Sequence, residues 1–431
     1  MPGTNPASKT IVHVPRRFVA EEWGGTETVV LEISRQQIKA GASPVVMTSM
    51  ALAKQARETI GGVPVKRYGY CYPFFGLSPE DRGALDKKGG NLLSLPLFWA
   101  MLREPGVRLF HAHALKRLGG HVRTAARLRR KPYVVSLHGG VFDVPAAELG
   151  GMLRPIEDKI EWGKPFGALF GSRRVLTDAD MVICVGQSEL DRARGELGHD
   201  RVAYLPNGVD TARFKNGDGA RFRERRGIPA GSFLVLNISR LDAQKNQLLL
   251  LEAFARLAAL EPRAHLVLVG PETQPAYAAK LKTFVSQNGL GGRVNILPGL
   301  RNDHPDLVDA YHACDVFVLP SMHEPFGIVV LEAWSACRPV VVSRVGGLQA
   351  LVTEGETGLF VDPSASDAGA VLADRLRLLL TEPETSRRLA TAGYEAAVSQ
   401  YDWSRIHERL EGLYRSAEEH AANRWGGKQP A

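Results

Sequence analysis

The residues of this chain that could do chemistry are concentrated in one stretch, HEPFGIVVLEAW, which runs from 323 to 334. Glu324 is followed by a Pro and a Gly that break regular structure, so we expect it on a loop. Glu332 lies in an apolar run that is typical of a core helix. A buried carboxylate is costly unless it is hydrogen-bonded, and ribose hydroxyls are suitable donors to its oxygens. The alternatives are an Arg partner for Glu332 and a helix-start role for Glu324.

Two basic residues, Arg240 and Lys245, follow the apolar run FLVLNIS (233–239). The pattern predicts a strand and then a helix, and the amino end of a helix attracts anions. Arg offers a planar fork to phosphate oxygens and Lys a point charge. The two could therefore hold a diphosphate and stabilise it as a leaving group. Solvated charges at a loop–helix junction are the alternative interpretation.

A glycine pair, Gly24 and Gly25, follows the first predicted strand in the stretch AEEWGGTETVV. Thr26 comes next, and the pattern favours it as the N-cap of a helix. The arrangement is typical of loops that approach a phosphate, although it is not a full GxGxxG motif.

A histidine and a second glycine pair end two other predicted strands. His138 ends PYVVSLH (132–138), where a side chain of a parallel strand would face a ligand site. A satisfied core histidine is the alternative. Gly346 and Gly347 follow PVVVS (339–343). Their lack of a side chain permits close backbone approach to a ligand or a tight turn.

An acidic pair, Asp178 and Asp180, has the DxD spacing of some metal sites. It precedes the strand DMVICVG (180–186), whereas ligands in parallel α/β sheets lie beyond the carboxyl ends of the strands. We therefore interpret the pair as helix-end and capping chemistry. The positive charges of Arg240 and Lys245 make an obligatory metal unnecessary, so no metal site and no cofactor are predicted.

Short apolar, β-branched runs alternate with longer amphipathic segments along the whole chain, which argues for two parallel α/β units. The predicted strands are 10–14, 43–49, 108–113, 132–138, 180–186, 233–239, 264–270, 294–299, 315–321, 339–343 and 358–362. A helix is predicted from about Phe326 to Cys337. The segment 204–222 is rich in Gly and holds a Pro, and we place the linker at 205–215.

Composition limits the class of protein. The chain has 431 residues, 44% apolar and 23% charged, which suits two globular domains of roughly 100–200 residues each. Residues 1–206 hold 29 basic against 20 acidic side chains, a balance of +9, and the remainder balances to −1, which gives the net charge of +8. That balance favours an anionic acceptor or a membrane surface, with ordinary solvated charge as the alternative.

The amino terminus has no apolar h-region, and the longest apolar stretch, 91–102, is shorter than the about 20 residues of a membrane span. That stretch could meet a lipid-linked acceptor, although a core helix is favoured. The basic segment 116–131 could rest on anionic lipid. Four dispersed cysteines fit a reducing compartment. We therefore expect a cytoplasmic protein with a possible weak, peripheral contact at the inner face of a membrane.

Taken together, these motifs resemble the retaining glycosyltransferases of family 4. The similar stretches cover nearly the whole chain and occur in the same order: WGGTE, SLHGG, LPNGVD, SRLDAQKN, EPFG with a Glu five residues after its Gly, VGG and TGLFVDP. The resemblance implies the GT-B fold, in which two Rossmann-like domains face each other across a cleft. It implies an acceptor-binding domain over 1–207 and a donor-binding domain over 208–400. A last helix at about 401–420 would pack back on the first domain.

The resemblance also assigns roles. Arg240 and Lys245 would bind the donor diphosphate, Glu332 the ribose and Glu324 the donor sugar. The remaining donor-binding positions would be Gly24, Gly25, Asn207, Phe326, Gly327 and Ile328, of which Phe326, Gly327 and Ile328 act through their backbone. His138 would line the reaction centre, as a catalytic residue with Arg240, Lys245 and Glu324. The residues after His138 here are Gly139, Gly140 and then 141–143 (Val-Phe-Asp), which departs from the common His-Asp form.

The implied activity is transfer of a hexosyl group from a nucleotide-diphosphate sugar to an acceptor hydroxyl, with retention of configuration. The acceptor would be a saccharide or a lipid-linked molecule in polysaccharide or glycolipid synthesis, and no nucleic acid is involved. Two alternatives stay open: a GT-B nucleotide-sugar enzyme such as a 2-epimerase, and a non-catalytic homologue that binds sugar nucleotides.

Overall fold

A computed structural model describes residues 9–20, 23–87, 89–139, 154–197, 201–301 and 303–426. The chain divides into two compact units, one of 1–206 with 406–431 and one of 207–405. The boundary at 206 lies in the Gly-rich segment that separates the two series of strands. Gly140 and residues 141–143, which follow His138 in the sequence, lie outside the described residues.

The first unit is built on an eight-stranded sheet in the order β3-β4-β2-β1-β5-β6-β7-β8. All neighbouring strands pair parallel except β3 and β4, which form an antiparallel edge. The strands are β1 (Thr10–Val14), β2 (Ser43–Ser49), β3 (Arg57–Ile60), β4 (Val63–Tyr68), β5 (Val107–Ala112), β6 (Tyr133–Leu137), β7 (Met181–Cys184) and β8 (Val202–Tyr204).

Helices connect these strands and cover the sheet. Their described bounds are Gly25–Lys39, Pro79–Lys87, Leu95–Arg103, Lys116–Leu128, Lys164–Leu169 and Gln187–Leu197. One apolar cluster includes Val12, Phe110 and Val135. Another includes Phe18, Val30 and Val46. The helix Leu95–Arg103 turns Leu97, Phe98 and Met101 into the core, so most of the apolar stretch 91–102 packs as a core helix.

The second unit has a six-stranded, fully parallel sheet in the order β11-β10-β9-β12-β13-β14. The strands are β9 (Phe233–Ile238), β10 (Ala264–Val269), β11 (Val294–Leu297), β12 (Val316–Leu319), β13 (Val340–Ser343) and β14 (Leu359–Val361). Most of their side chains are buried, as expected for strands covered on both faces.

The helices of the second unit are Thr211–Phe214, Gly219–Arg225, Gln247–Leu260, Pro275–Gln287, Pro305–Ala313, Ile328–Ser335, Leu348–Leu351, Ala368–Thr381 and Pro383–Ala396. They bury two apolar clusters, one containing Leu236, Phe317 and Trp334 and one containing Val235, Phe254 and Leu268. Alternate residues of β9 thus contribute to different clusters, which is the expected result of strand geometry.

A long helix, Trp403–Gly426, ends the described chain, and from Ile406 onward it belongs to the first unit. Arg108 of β5 pairs with two acidic residues of this helix, Glu411 and Glu418. Arg424 pairs with Asp180 at the start of β7. Ion pairs at two separated points therefore hold the helix against the first sheet.

None of the helices in the described ranges combines the length and the apolar character needed to cross a bilayer.

Candidate active site

The second unit brings three predicted site residues together at one edge of its sheet. Strands β9 and β12 are neighbours, so the loops after their carboxyl ends meet. Arg240 and Lys245 lie on the loop after β9, and Glu324 lies on the loop after β12. The amide of Met322 donates to the carbonyl of Gln244 at 2.8 Å, which joins the two loops.

Lys245 and Glu324 form an ion pair that the sequence did not predict. The Nζ atom of Lys245 lies 2.6 Å from Oε2 of Glu324, and both side chains are largely buried. Arg240 is exposed, with a guanidinium nitrogen 3.3 Å from the carboxylate of Asp242. One predicted diphosphate ligand, Lys245, is therefore paired with Glu324, the predicted sugar-binding acid, and the other, Arg240, lies near solvent.

The loop that carries Arg240 and Lys245 is held by hydrogen bonds to buried side chains. Gln247 donates through Nε2 to the carbonyl of Arg240 at 2.8 Å and to the hydroxyl of Ser239 at 2.9 Å. The carboxylate of Asp242 accepts from the amide of Lys245 at 3.1 Å. Since these partners are largely buried, the backbone of the loop is fixed before any ligand binds. Sequence reasoning missed Asp242 and Gln247.

The glycine pair after β13 packs against the other loop. A Cβ on Gly347 would lie 2.1 Å from the carbonyl oxygen of Pro325, and one on Gly346 would lie 2.4 Å from that of Glu324. The amide of Gly347 donates to the carbonyl of Glu324 at 2.9 Å. The close approach predicted for these glycines is therefore made with the protein backbone, and it fixes the position of Glu324.

The helix that follows Glu324 spans Ile328–Ser335, shorter at both ends than the predicted 326–337. The predicted start was wrong because Gly327 adopts a left-handed conformation, with φ of 96°, and serves as the N-cap. Phe326 turns its ring into the core, so only its backbone is available to a ligand. The amide of Val330 donates to the carbonyl of Gly327 at 2.9 Å. The two amides before it, of Ile328 and Val329, precede the first turn of the helix and suit an anion.

Glu332 is buried in this helix, 9% exposed, and its partner is Tyr311. The Tyr311 hydroxyl donates to Oε2 of Glu332 at 2.6 Å. Burial raises the pKa of the Glu332 carboxyl to about 7, although the Tyr311 hydrogen bond and the charge of Arg213 lower it. The sequence gave no signal for Tyr311, because it lies in another helix, Pro305–Ala313.

Asn207 is buried at the start of the second unit, 8% exposed. The glycine after it is also closely packed, since a Cβ on Gly208 would lie 2.7 Å from the Trp403 ring. Close packing against Trp403 thus accounts for the glycine at position 208. A donor-binding role for Asn207 stays a prediction.

In the first unit the glycine pair begins the helix Gly25–Lys39, with Gly24 as the N-cap. The expectation that Thr26 is the N-cap was wrong, since Thr26 lies inside the helix. Instead, the Thr28 hydroxyl donates to the carbonyl of Gly24 at 3.1 Å and accepts from the Trp23 ring nitrogen at 2.9 Å. The helix turn thus closes on the backbone of Gly24, and Gly25 is its first residue.

His138 follows β6 and is partly exposed. Its Nε2 atom lies 2.9 Å from Nδ1 of His113, which comes just after β5. Burial lowers the pKa of His138 to about 4, so the ring is neutral near pH 7. The structure thus places His138 in a histidine cluster that sequence reasoning missed, although two of its members are visible in the stretch HAH (111–113).

The acidic pair of the DxD motif is bound by arginines. Asp178 forms ion pairs with Arg123, Arg127 and Arg174, and the pKa of its carboxyl is lowered by these charges despite partial burial. Asp180 accepts from the amide of Tyr133 at 3.0 Å. Both carboxylates thus have structural partners at the amino end of β7.

Comparison with known proteins agrees with these motifs. Residues 23–213 match the family model described as Glycosyltransferase Family 4, and residues 218–396 match that of Glycosyl transferases group 1. The D-inositol 3-phosphate glycosyltransferase 1 of Catenulispora acidiphila is 30% identical over 91% of this chain and 91% of its own length. The chain belongs to glycosyltransferase family 4. A second relative in the family, the D-inositol 3-phosphate glycosyltransferase of Geodermatophilus obscurus, is 30% identical over 94% of this chain and 87% of its own.

Solved structures show the same fold. Anabaena HepE in complex with UDP-glucose matches 94% of this chain and 99% of its own, with a TM-score of 0.68 and 21% identity. The protein is therefore a glycosyltransferase with two parallel-sheet α/β units of the GT-B class, as the sequence predicted. The epimerase and non-catalytic alternatives find no support in these relatives.

Proposed function

We propose that this family 4 enzyme transfers a hexosyl group from a UDP-sugar to a hydroxyl of an anionic acceptor, with retention of configuration. The observation that carries the proposal is the meeting of Arg240, Lys245 and Glu324 on two adjoining loops. They lie beside a helix start whose amides suit a phosphate. UDP-glucose is bound by the structural neighbour HepE, and retention is consistent with the family.

Charge stabilisation of the leaving group is the main task of these residues. When the bond to the sugar breaks, negative charge develops on the diphosphate. Fixed positive groups that meet this charge stabilise the transition state more than the ground state. Arg240 and Lys245 would supply them, and we propose that no obligatory metal is needed. Lys245 would then exchange part of its contact with Glu324 for phosphate oxygens.

Recognition of the donor falls to the two acids. Glu324, held by the amide of Gly347 at its carbonyl, would accept hydrogen bonds from hydroxyls of the sugar. Glu332 has one carboxylate oxygen bonded to Tyr311, and the other would accept from the ribose. We propose roles for Gly25 in donor contact and for His138 at the reaction centre, where its neutral ring would position a sugar hydroxyl.

The acceptor is proposed from charge and from the relatives. Residues 1–206 carry a clear excess of basic side chains, which favours an anionic acceptor. Two relatives that align over nearly the whole chain are named for D-inositol 3-phosphate. An inositol phosphate is therefore the first acceptor to test. Polysaccharide or glycolipid synthesis remains a second proposal for the same chemistry.

The test is a substrate screen. UDP-, GDP- and ADP-glucose are each incubated with the protein, with and without D-inositol 3-phosphate, and free nucleotide and glycosylated product are measured. We expect release of UDP that depends on the acceptor, with little product from unphosphorylated inositol. Equal release without the acceptor, or no release from any UDP-sugar, would contradict the proposal. EDTA should leave the rate unchanged.

A weak, peripheral contact with membranes is a separate proposal. The helix Lys116–Leu128 supports it poorly, because Arg117 pairs with Glu161 and Arg123 pairs with Asp178. The better surface is Trp99, which is 53% exposed, since tryptophan prefers the membrane interface. Flotation with anionic vesicles at low salt tests it: binding that Trp99→Ser weakens supports the proposal, and no binding of the native protein rejects it.

A further inference from the structure

Four histidines gather at the carboxyl end of the first sheet. His13 lies in β1 and His111 in β5, while His113 and His138 follow β5 and β6. Because these three strands are neighbours, the rings come close: the centroids of His111 and His113 are 4.1 Å apart, and those of His113 and His138 are 5.1 Å apart.

Three of these rings form a hydrogen-bonded chain that ends on Gln37. His13 Nε2 lies 2.8 Å from Oε1 of Gln37, and His13 Nδ1 lies 3.0 Å from Nε2 of His113. His113 Nδ1 then lies 2.9 Å from Nε2 of His138. Gln37 is itself oriented, because its Nε2 donates to the hydroxyl of Tyr414.

The direction of hydrogen-bond donation along this chain follows from the side-chain amide of Gln37. A carbonyl oxygen only accepts, so His13 must carry its proton on Nε2. Its Nδ1 then accepts, which requires the proton of His113 on Nε2. By the same step, Nδ1 of His113 accepts from Nε2–H of His138. The Nδ1 atom of His138 is left with its lone pair.

The rings are suited to hold neutral tautomers. Burial lowers the pKa of His13 and of His138 to about 4, and it lowers that of His113 well below the usual value. A second proton on His13 or His113 would also break the chain, since each of these two rings must accept a hydrogen bond at its Nδ1 atom.

We propose that Gln37, His13 and His113 are positioning residues that hold His138 in its Nε2–H tautomer, with the Nδ1 lone pair directed to a sugar hydroxyl. The inference rests on the proposed role of His138 at the reaction centre. Histidine tautomers are set in this way by the partner of the other ring nitrogen. The remote end of the chain, Gln37, thereby influences the reacting group through two intervening rings.

A metal ion is the competing use of this cluster. Ring nitrogens of His13, His111 and His113 lie within 4.8 Å of one another. However, every one of their ring nitrogens already has a hydrogen-bond partner, since His111 bonds to the hydroxyls of Tyr414 and Ser136, each at 2.7 Å. The hydrogen-bonded arrangement is thus complete without an ion.

The experiment breaks the chain at its remote end. Gln37→Met keeps the length of the side chain and removes both polar atoms. Ser136→Ala is the matched control, because it removes a hydrogen bond to His111, a buried ring outside the chain. His13→Met is a second break in the chain should Gln37→Met fail to fold, with soluble yield and thermal unfolding as checks on folding.

The direct readout is the nitrogen spectrum of side chains in protein labelled with ¹⁵N-histidine, with His138 assigned by its loss in His138→Ala. The native protein should show His138 protonated on Nε2. In Gln37→Met we expect a mixture of tautomers and a fall of about tenfold in kcat, equivalent to about 1.4 kcal/mol. KM for UDP-glucose and for D-inositol 3-phosphate should stay within about twofold. Ser136→Ala should match the native protein in the tautomer of His138, in kcat and in both KM values.

The outcomes separate the inference from the proposed function. If His138→Ala abolishes turnover while Gln37→Met changes neither tautomer nor kcat, the inference is wrong and the role of His138 stands. If His138→Ala turns over normally, both the inference and the proposed role of His138 at the reaction centre are wrong. A native His138 protonated on Nδ1, or one bound zinc per chain by elemental analysis, would also overturn the inference.

Discussion

The change Glu332→Gln should make the protein more stable and a poorer enzyme. Burial raises the pKa of Glu332 to about 7 from 4.5 in the unfolded chain. Between these values the folded state binds a proton that the unfolded state has lost, so this group's contribution to stability falls as pH rises. At about 1.4 kcal/mol per pH unit, the cost at pH 8 is about 3 kcal/mol.

Glutamine escapes this cost because it stays neutral, and its amide oxygen can still accept from Tyr311. We therefore expect Glu332→Gln to raise the free energy of unfolding by about 3 kcal/mol at pH 8 and by little at pH 4.5. Donor binding, in contrast, should become weaker. An amide offers one acceptor atom where a carboxylate offers two, so KM for UDP-glucose should rise about tenfold.

The assay is urea unfolding at pH 4.5 and pH 8, with Glu395→Gln as the control. Glu395 is exposed on the helix Pro383–Ala396 of the same unit, so its substitution should change stability little at either pH. If Glu332→Gln raised the free energy of unfolding equally at both pH values, or did not raise it at pH 8, burial of the charged Glu332 carboxylate would not be what destabilises the native protein.

Three further predictions follow from the packing and charges of the two units. Gly347→Ala should lower the melting temperature strongly, because its Cβ would lie 2.1 Å from the Pro325 carbonyl; a melting temperature within about 2 °C of native, which corresponds to a loss of no more than about 1 kcal/mol, would contradict this. Arg108→Ala should cost about 1 kcal/mol of stability, less at high salt, since its ion pairs with the last helix are partly exposed. Below about pH 7 donor KM should rise as Glu332 is protonated, and Glu332→Gln should remove that dependence.

Much of the fold was predictable because the buried strands of parallel sheets are continuous apolar runs. All eleven predicted strands are present, with ends that differ by at most two residues. Within the part of the chain that the structure describes, the strands that the sequence pattern missed are β3, β4 and β8. β4 alternates buried and exposed residues and contains Pro64, so it is not a continuous apolar run; it pairs with β3 at the edge, where proline is tolerated.

The pairings among the candidate site residues could not be predicted from the sequence. The ion pair of Lys245 with Glu324 joins residues 79 positions apart and depends on β9 lying beside β12. Tyr311, the partner of Glu332, comes from a helix whose packing the sequence pattern does not specify. The chain from Gln37 to His138 likewise needs the order of three strands.

The measurement that tests the central claim most directly is turnover of UDP-glucose with D-inositol 3-phosphate by Arg240→Ala and Lys245→Ala. Arg256→Ala and Lys280→Ala, at exposed positions of the same unit, are the matched controls. We expect each site variant to lose about a hundredfold or more in kcat, equivalent to about 3 kcal/mol, while the controls stay near native. Turnover of both site variants within about threefold of the native protein would contradict the assignment of the diphosphate site.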